Sequence, residues 1–342
     1  MSRFSTLVVV LACVLALTGC VPGGGPSDLP RTAHTSGAEI HTTLNLYAYA
    51  VPKVAYDELV PAFAATDAGH GVHIHQSYGA SGDQSRKVAS GAQADIVNFS
   101  VTPDITRLVD AGLVDPDWDT GPHQGSPFGS VVTFVVREGN PDNIHNWDDL
   151  LRPGIEVVTP NPFSSGAAKW NLLAPYAAAS GGGQDPDAGL AYLTALINDH
   201  VRLQPASGRE ATEAFLQGSG DVLLSYENEA LFLERQGDPV QHVIPPATFR
   251  IDNPAAVLNN SPHPQPAEDF LAYLGSPPGQ EILARNGFRP ADATIAAQYA
   301  ADFPTPDILY AIDDLGGWTA VDRDLFQAGH GSIALIYEGA AR

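Results

Sequence analysis

Cysteine is nearly absent from this chain. Two occur in 342 residues, Cys13 and Cys20, both at the amino terminus. A body without further thiols has no cysteine nucleophile, no thiolate metal site and no disulfide. Cations are also scarce: there are three lysines, Lys53, Lys87 and Lys169, and 17 Lys and Arg stand against 39 Asp and Glu, a formal net charge of −22. Such a surface cannot neutralise a phosphate backbone, which argues against a nucleic-acid partner. It also repels anions at long range, so any selectivity for one must come from a local, desolvated array of dipoles. Gly-x-Ser-x-Gly and P-loop motifs are missing too, and with them the usual machinery of ester hydrolysis and nucleotide binding.

What is present begins with a leader. Arg3 precedes an apolar run from Leu7 to Leu17, too short for a comfortable membrane span, followed by Leu17-Thr18-Gly19-Cys20. The run has the form of a secretory signal, and its end resembles a bacterial lipobox. That resemblance implies cleavage before Cys20, acylation of its thiol and a lipid anchor in the membrane. Residues 1–19 are thus read as signal peptide and 20–43 as lipidated cysteine and tether, a stretch containing Gly23-Gly24-Gly25-Pro26 that cannot build a core. The globular body is expected from Leu44.

The most informative stretch of that body is Thr159-Pro160-Asn161-Pro162-Phe163-Ser164-Ser165-Gly166-Ala167-Ala168-Lys169-Trp170-Asn171. A β-branched run feeds a Ser-Gly turn that opens a helix. The first turn of a helix leaves N–H groups unpaired and carries about half a positive charge. Small side chains let an oxyanion approach those groups, and Ser165 adds a hydroxyl. Three more junctions repeat the design. Leu44 to Tyr49 alternates like a strand and meets Val51-Pro52, placing first-turn N–H groups after Ala50. Val72 to Gln76 leads to Ser81-Gly82-Asp83-Gln84, with capping-box spacing from Ser81 to Gln84, and Val201 to Gln204 leads to Ser207-Gly208-Arg209-Glu210 with the same spacing.

Strands and helices alternate from Leu44 onward, which predicts an α/β architecture with largely parallel sheets. With 342 residues and 44% hydrophobic content the chain can fill two cores. Ser130 to Arg137 is the strongest strand and a candidate crossover, and the chain returns near His242 to Pro245. The predicted order is a first lobe at 44–126, a second at 127–243, completion of the first at 244–330, and a tail at 331–342.

The residues also resemble a known family. Asn140-Pro141, Asn146-Trp147-Asp148-Asp149-Leu150, Pro153-Gly154, Thr159 to Pro162 with Ser165-Gly166, Asp221-Val222-Leu223, Glu227-Asn228-Glu229-Ala230, Phe288-Arg289-Pro290 and Gly316-Gly317-Trp318 occur in the order seen in the sulfate-binding proteins of bacterial ABC importers. The resemblance spans Leu44 to Trp318. It implies a two-lobed periplasmic-binding-protein fold of type II that closes on dehydrated sulfate, a monomer that hands its ligand to an ABC permease, and no cofactor, metal or catalysis. Carried over residue by residue, it implies backbone donors at Ala50, Ser81, Gly166, Ala167 and Gly208 and a hydroxyl from Ser165. Tyr226 stands where the family usually has a ligand-binding Trp, Asp83 where Lys is common, Lys169 where Arg is common and Gly208 where Ala is. Tyr226 is expected to donate to the anion in place of the indole, with Lys53, Asp104, Lys169 and Arg209 around the array and Asp83 pointing away.

Thiosulfate or molybdate remain alternative ligands, and a sulfate- or phosphate-ester hydrolase an alternative class, for which Ser165 lacks an evident base. His73 and His75 project from one strand face near His70; with no Cys to complete a ligand set, they are expected as a surface or packed cluster.

Overall fold

The computed structural model describes residues 41–340. The signal segment, Cys20 and nearly all of the tether lie outside the described residues. Twelve strands occur among them: β1 (Thr42–Tyr49), β2 (Val72–Gly79), β3 (Ile96–Asn98), β4 (Phe128–Arg137), β5 (Val157–Val158), β6 (Val201–Leu203), β7 (Val222–Tyr226), β8 (Val240–Val243), β9 (Ala247–Asn253), β10 (Ala255–Val257), β11 (Arg289–Pro290) and β12 (Ile308–Tyr310). The helices that matter for the site are α1 (Lys53–Ala64), α2 (Ser81–Ala89), α3 (Thr102–Asp110), α4 (Gly166–Ser180), α5 (Pro186–Ala195), α6 (Gly208–Leu216) and α7 (Glu227–Gln236).

The strands form two sheets, but these are not largely parallel as the alternating pattern predicts: five of the ten strand pairings among the described residues are antiparallel, four of them made by β4, which returns against its neighbours. One has the order β10-β3-β1-β2, with β1 parallel to both β2 and β3 and β10 antiparallel at the edge. The other runs β12-β9-β4-β7-β5-β6, with β8 and β11 also pairing β4. In it β5 is parallel to β6 and β7, while β4 is antiparallel to β7, β8 and β9. β1 alternates because one face is covered: Leu44, Leu46 and Ala48 are fully buried, with solvent-leaning neighbours between them. β4 instead reads as a continuous apolar run, since both of its faces are covered and Val131 to Val136 are all buried. Its first half pairs β9 and its second half pairs β7 and β8, so this one strand ties together segments of chain from both sides of residue 244.

α4 is buried almost all round, which is why its sequence shows no polar stripe. Its Asn171 Nδ2 donates to Leu224 O (2.7 Å) and Thr159 Oγ1 (3.1 Å), fixing the helix to β7 and to the turn that precedes it. Two boundaries differ from expectation. β1 begins at Thr42 rather than Leu44, because Thr42 and Thr43 already pair Val72 and His73. The segment expected as a tail contains a helix, Ser332–Ala340, with Ile333 and Ala334 buried and Tyr337 set edge-on against Phe163.

Candidate functional site

In parallel α/β sheets, ligands gather beyond the carboxyl ends of the strands. Six such ends face one region, three from each sheet, and five of them border a single cavity. Ala50 follows β1, Ser81 opens α2 after β2, and Ser100 follows β3. Ser165 is the N-cap of α4 after β5, Ser207 the N-cap of α6 after β6, and Tyr226 closes β7 as the N-cap of α7. Tyr49, Ala50, Val51, Gly79, Ala80, Ser81, Ser100, Ser165, Ala167, Ser207 and Gly208 border a cavity of ≈ 10 Å³. That is about the space one water-sized group needs and far below the roughly 300–1,000 Å³ of pockets for drug-sized ligands, so only a very small ligand suits it. None of these lining residues is charged.

The N–H groups of Ala50, Ser81, Gly166, Ala167 and Gly208 donate to no carbonyl in the turns, caps and loops among the described residues. For the helix-opening ones this follows from position, since first-turn N–H groups have no intrahelical acceptor. Ser165 is 3% exposed and makes no side-chain capping bond, so its hydroxyl is not spent on its own helix. Ser207 differs: its Oγ accepts from Glu210 N at 3.2 Å. The capping box predicted there is half formed, because the Glu210 carboxylate takes the N–H of Ala206 (3.1 Å) and not that of Ser207.

The box predicted at Ser81 and Gln84 does not form. Ala80 is the N-cap, and Gln84 Nε2 donates to Ser77 Oγ at 3.1 Å. The Ser81 hydroxyl is drawn elsewhere: it donates to Asp104 Oδ2 (2.6 Å) and accepts from Ser100 N (3.0 Å). Asp104 is in turn held by Arg107 Nη1 at 2.8 Å; it touches Ser81 without bordering the cavity.

The remaining predicted neighbours separate. Lys53 is an exposed partner of Asp57 (2.5 Å), a consequence of its place on the outer face of α1. Lys169 reaches away to Asp322 (2.5 Å) and lies over the ring of Phe326, tying α4 to the C-terminal segment. Arg209 stands behind Gly208, 3.2 Å from the buried Glu229. Burial pushes the Glu229 carboxyl upward, against the pull of Arg209, and raises Glu227 likewise against Arg289. Asp83 pairs with Arg86 at 2.5 Å on the exposed side of α2, away from the cavity.

Tyr226 also departs from expectation. It is buried, but it does not border the cavity; its Oη lies 2.6 Å from Ser100 Oγ, and Ser100 does border it. Ser100 escaped the sequence reading because the β3–α3 junction carries no Ser-Gly turn. It does show a serine directly after the apolar strand and ahead of Thr102-Pro103, where Pro marks a helix start.

Gly166 is required by close approach. A Cβ there would sit 2.8 Å from Ser100 Cβ and 2.9 Å from Val101 Cγ2, both on the opposite side of the cavity. Gly208 is not so constrained, since a Cβ would find Val51 Cγ2 at 3.4 Å and Ala167 Cβ at 3.6 Å, ordinary contacts. The loop before α4 clasps both sides. Ser164 O accepts from Gly82 N (2.9 Å) and Phe163 O from Arg86 Nη2 (3.2 Å), while Ser164 Oγ donates to Ala206 O (2.8 Å).

A far larger groove, bordered by Trp118, Phe128, Arg289 and Trp318, is less suited to an anion. Its arginines are already committed: Arg107 to Asp104, Arg250 to Asp252, Arg289 to Glu227 and Arg323 to Asp324.

Residues 44–289 match the model of a family described as bacterial extracellular solute-binding protein. The sulfate-binding protein of Synechococcus elongatus is 34% identical over 337 residues, covering 96% of this chain and 94% of that one. The thiosulfate-binding protein of Pseudomonas aeruginosa is 34% identical over 290 residues, covering 81% and 87%. Among solved structures, the sulfate-binding protein SubI from Mycobacterium tuberculosis superposes with a TM-score of 0.83 at 58% identity, covering 84% of this chain and all of that one.

Proposed function

Since the chain belongs to the bacterial extracellular solute-binding proteins and has sulfate-binding proteins as relatives over most of its length, we propose that it captures sulfate between its two lobes and delivers it to an ABC permease. The fold is the type II periplasmic-binding-protein fold. We take the lobes to be 44–126 with 244–330, and 127–243; the sheet of β1 and β2 supplies the N–H groups of Ala50 and Ser81, and that of β5 and β6 supplies those of Gly166, Ala167 and Gly208 with the Ser165 hydroxyl. The observation that carries the proposal is a small cavity that no charged side chain borders, lined by Ala50, Ser81, Ala167 and Gly208, whose N–H groups, like that of the adjacent Gly166, have no carbonyl partner in the turns, caps and loops among the described residues, and by Ser165 with its hydroxyl.

The chemistry follows from the donor set. Sulfate at neutral pH is a dianion that only accepts hydrogen bonds. Peptide N–H groups at helix starts meet it with partial positive charge and need no reorganisation, in the way fixed dipoles stabilise an oxyanion. Removed from water, each charge-assisted bond contributes about 1.5–3 kcal/mol. A cation in contact would strengthen binding to any anion and so blur the choice among them. Hydrogen phosphate brings a proton that needs an acceptor, and leaving it buried and unpaired costs about 1–3 kcal/mol, or roughly 10- to 100-fold in affinity.

The missing Cβ at Gly208 favours a second ligand of the same class. It leaves room beside Val51 and Ala167 for a longer tetrahedral anion such as thiosulfate. Among the described residues the Ser165 hydroxyl makes no capping bond and no charged side chain borders its cavity to act as a base, which supports a receptor over an ester hydrolase. Attachment through acylated Cys20 would place the receptor at the outer face of the cell membrane.

Calorimetric titration of the purified chain with sulfate, thiosulfate, molybdate and phosphate at one ionic strength tests the proposal. We expect sulfate to bind at least tenfold more tightly than phosphate. Equal binding, or phosphate binding more tightly, would remove the sulfate assignment.

A further inference from the structure

We infer that Ser100 presents a second side-chain hydroxyl to the anion, and that Tyr226 acts only through it, as a positioning residue. The inference rests on the oxyanion-receptor reading and names a ligand contact within that site.

Ser100 lies two residues beyond β3 with its backbone pinned on both sides. Its N–H donates to Ser81 Oγ at 3.0 Å, and its carbonyl accepts from Trp170 Nε1 at 2.7 Å. The side chain is therefore what Ser100 turns toward the cavity it borders. Its Oγ lies 2.6 Å from Tyr226 Oη, a distance at which either oxygen can be the donor. Each hydroxyl has one proton and two lone pairs, so the pair can be polarised in either direction.

The ligand sets the direction. If Ser100 donated to Tyr226, its lone pairs would face the incoming anion and repel it. If Tyr226 donates to Ser100, the Ser100 proton is left for the anion, and the chain Tyr226 to Ser100 to anion is aligned so that each bond strengthens the next. Tyr226 is suited to the inner position: it is 1% exposed, and burial keeps the phenol protonated, so its proton is always available. The Ser100 hydroxyl is also placed beside a proposed backbone donor. A Cβ built on Gly166 would lie 3.0 Å from Ser100 Oγ, and Ser165 and Ala167 on either side of Gly166 border the same cavity as Ser100.

The test is sulfate calorimetry on the full chain carrying Ser100→Ala, Tyr226→Phe and both together, with Ser165→Ala as reference. Ser100→Ala should weaken sulfate roughly 10- to 100-fold, the loss of one charge-assisted bond. Tyr226→Phe should cost less, because Ser100 keeps its proton and loses only its orientation. In the Ser100→Ala background the Tyr226→Phe change should have no further effect on affinity. A purely structural Tyr226 would instead lower affinity equally in both backgrounds, and that result overturns the relay. Ser100→Ala alone strands a buried phenol; should it fail to fold, the double variant removes both hydroxyls and must still show the 10- to 100-fold loss. Wild-type affinity in either variant, with Ser165→Ala impaired, overturns this inference and leaves the receptor reading standing. A wild-type chain that binds no sulfate overturns both.

Discussion

Alanine at position 166 should abolish tight binding without unfolding the protein. The added methyl carbon would lie 2.8 Å from Ser100 Cβ, 2.9 Å from Val101 Cγ2 and 3.0 Å from Ser100 Oγ, all on the side of the cavity opposite α4. Carbon atoms pack comfortably at roughly 3.5–4.0 Å, so the two sides must part by about 0.7 Å or more. A hydrogen bond lengthened from ~2.9 Å to ~3.6 Å is effectively lost. If one or two donors on either side fall out of reach, at about 1.5–3 kcal/mol each, affinity drops roughly 10- to 10⁴-fold. The helix itself should gain, since position 166 does not have a positive φ and Ala is better than Gly in a helix by about 0.5–1 kcal/mol. Two assays separate these effects. Calorimetry should show the affinity loss, while thermal unfolding without ligand should fall modestly, since crowding of this kind costs about 1–3 kcal/mol and outweighs the helix gain, and its sulfate-dependent increase should vanish. A Gly166→Ala protein that binds sulfate as the wild type does, with the same thermal gain, would refute the argument that the opposing surfaces meet at this point.

The two N-cap serines should behave oppositely. Ser165→Ala should lower sulfate affinity roughly 10- to 100-fold with little change in the unliganded Tm, whereas Ser207→Ala loses a capping bond and should destabilise by about 1 kcal/mol. Matching losses of affinity and stability in both variants would contradict this division. Glu229 supplies a pH test. Its folded pKa is raised above the ordinary 4.5 by burial, so its contribution to stability is fully present below that value and is lost as pH rises through the folded value. Glu229→Gln should flatten that decline in unfolding free energy, leaving the part due to Glu227; an undiminished decline would show that Glu229 is not its source. Cys20→Ala should leave an unprocessed precursor, and recovery of a diacylated mature amino terminus from that variant would exclude the lipobox.

Much of the site was legible because helix starts leave a local signature. Thr159 to Asn171 and Ser207-Gly208 show a strand, a small-residue turn and a helix within a dozen residues, and the structure brings these turns to one cavity with Ala50 and Ser81. β4 was legible for a different reason, since a strand covered on both faces needs uninterrupted apolar residues. What could not be read was which partner a hydroxyl chooses. Ser81 has capping-box spacing to Gln84, yet a carboxylate from α3, 23 positions away, captures its proton. Ser100 and Tyr226 are 126 positions apart, and neither reports the other locally. Lys53 and Lys169 were expected around the array, but a long side chain can be carried to Asp57 or to Asp322 by a helix whose start faces the cavity.

The donors proposed at Ala50, Ala167 and Gly208 belong to the main chain, which changes what inheritance can act on. Side-chain replacement passes over such a site: two positions are already alanine, and at Gly208 a methyl meets only ordinary contacts. Codon changes there can drift while the ion is still held, and a conventional alanine survey would score these positions as silent. Proline is the amino acid that deletes the group in question. An amide-to-ester exchange at a single residue would do so without altering the side chain. What this pocket asks of the chain is therefore a path of the backbone, and the residues that matter most are those that keep the path, Gly166 first among them.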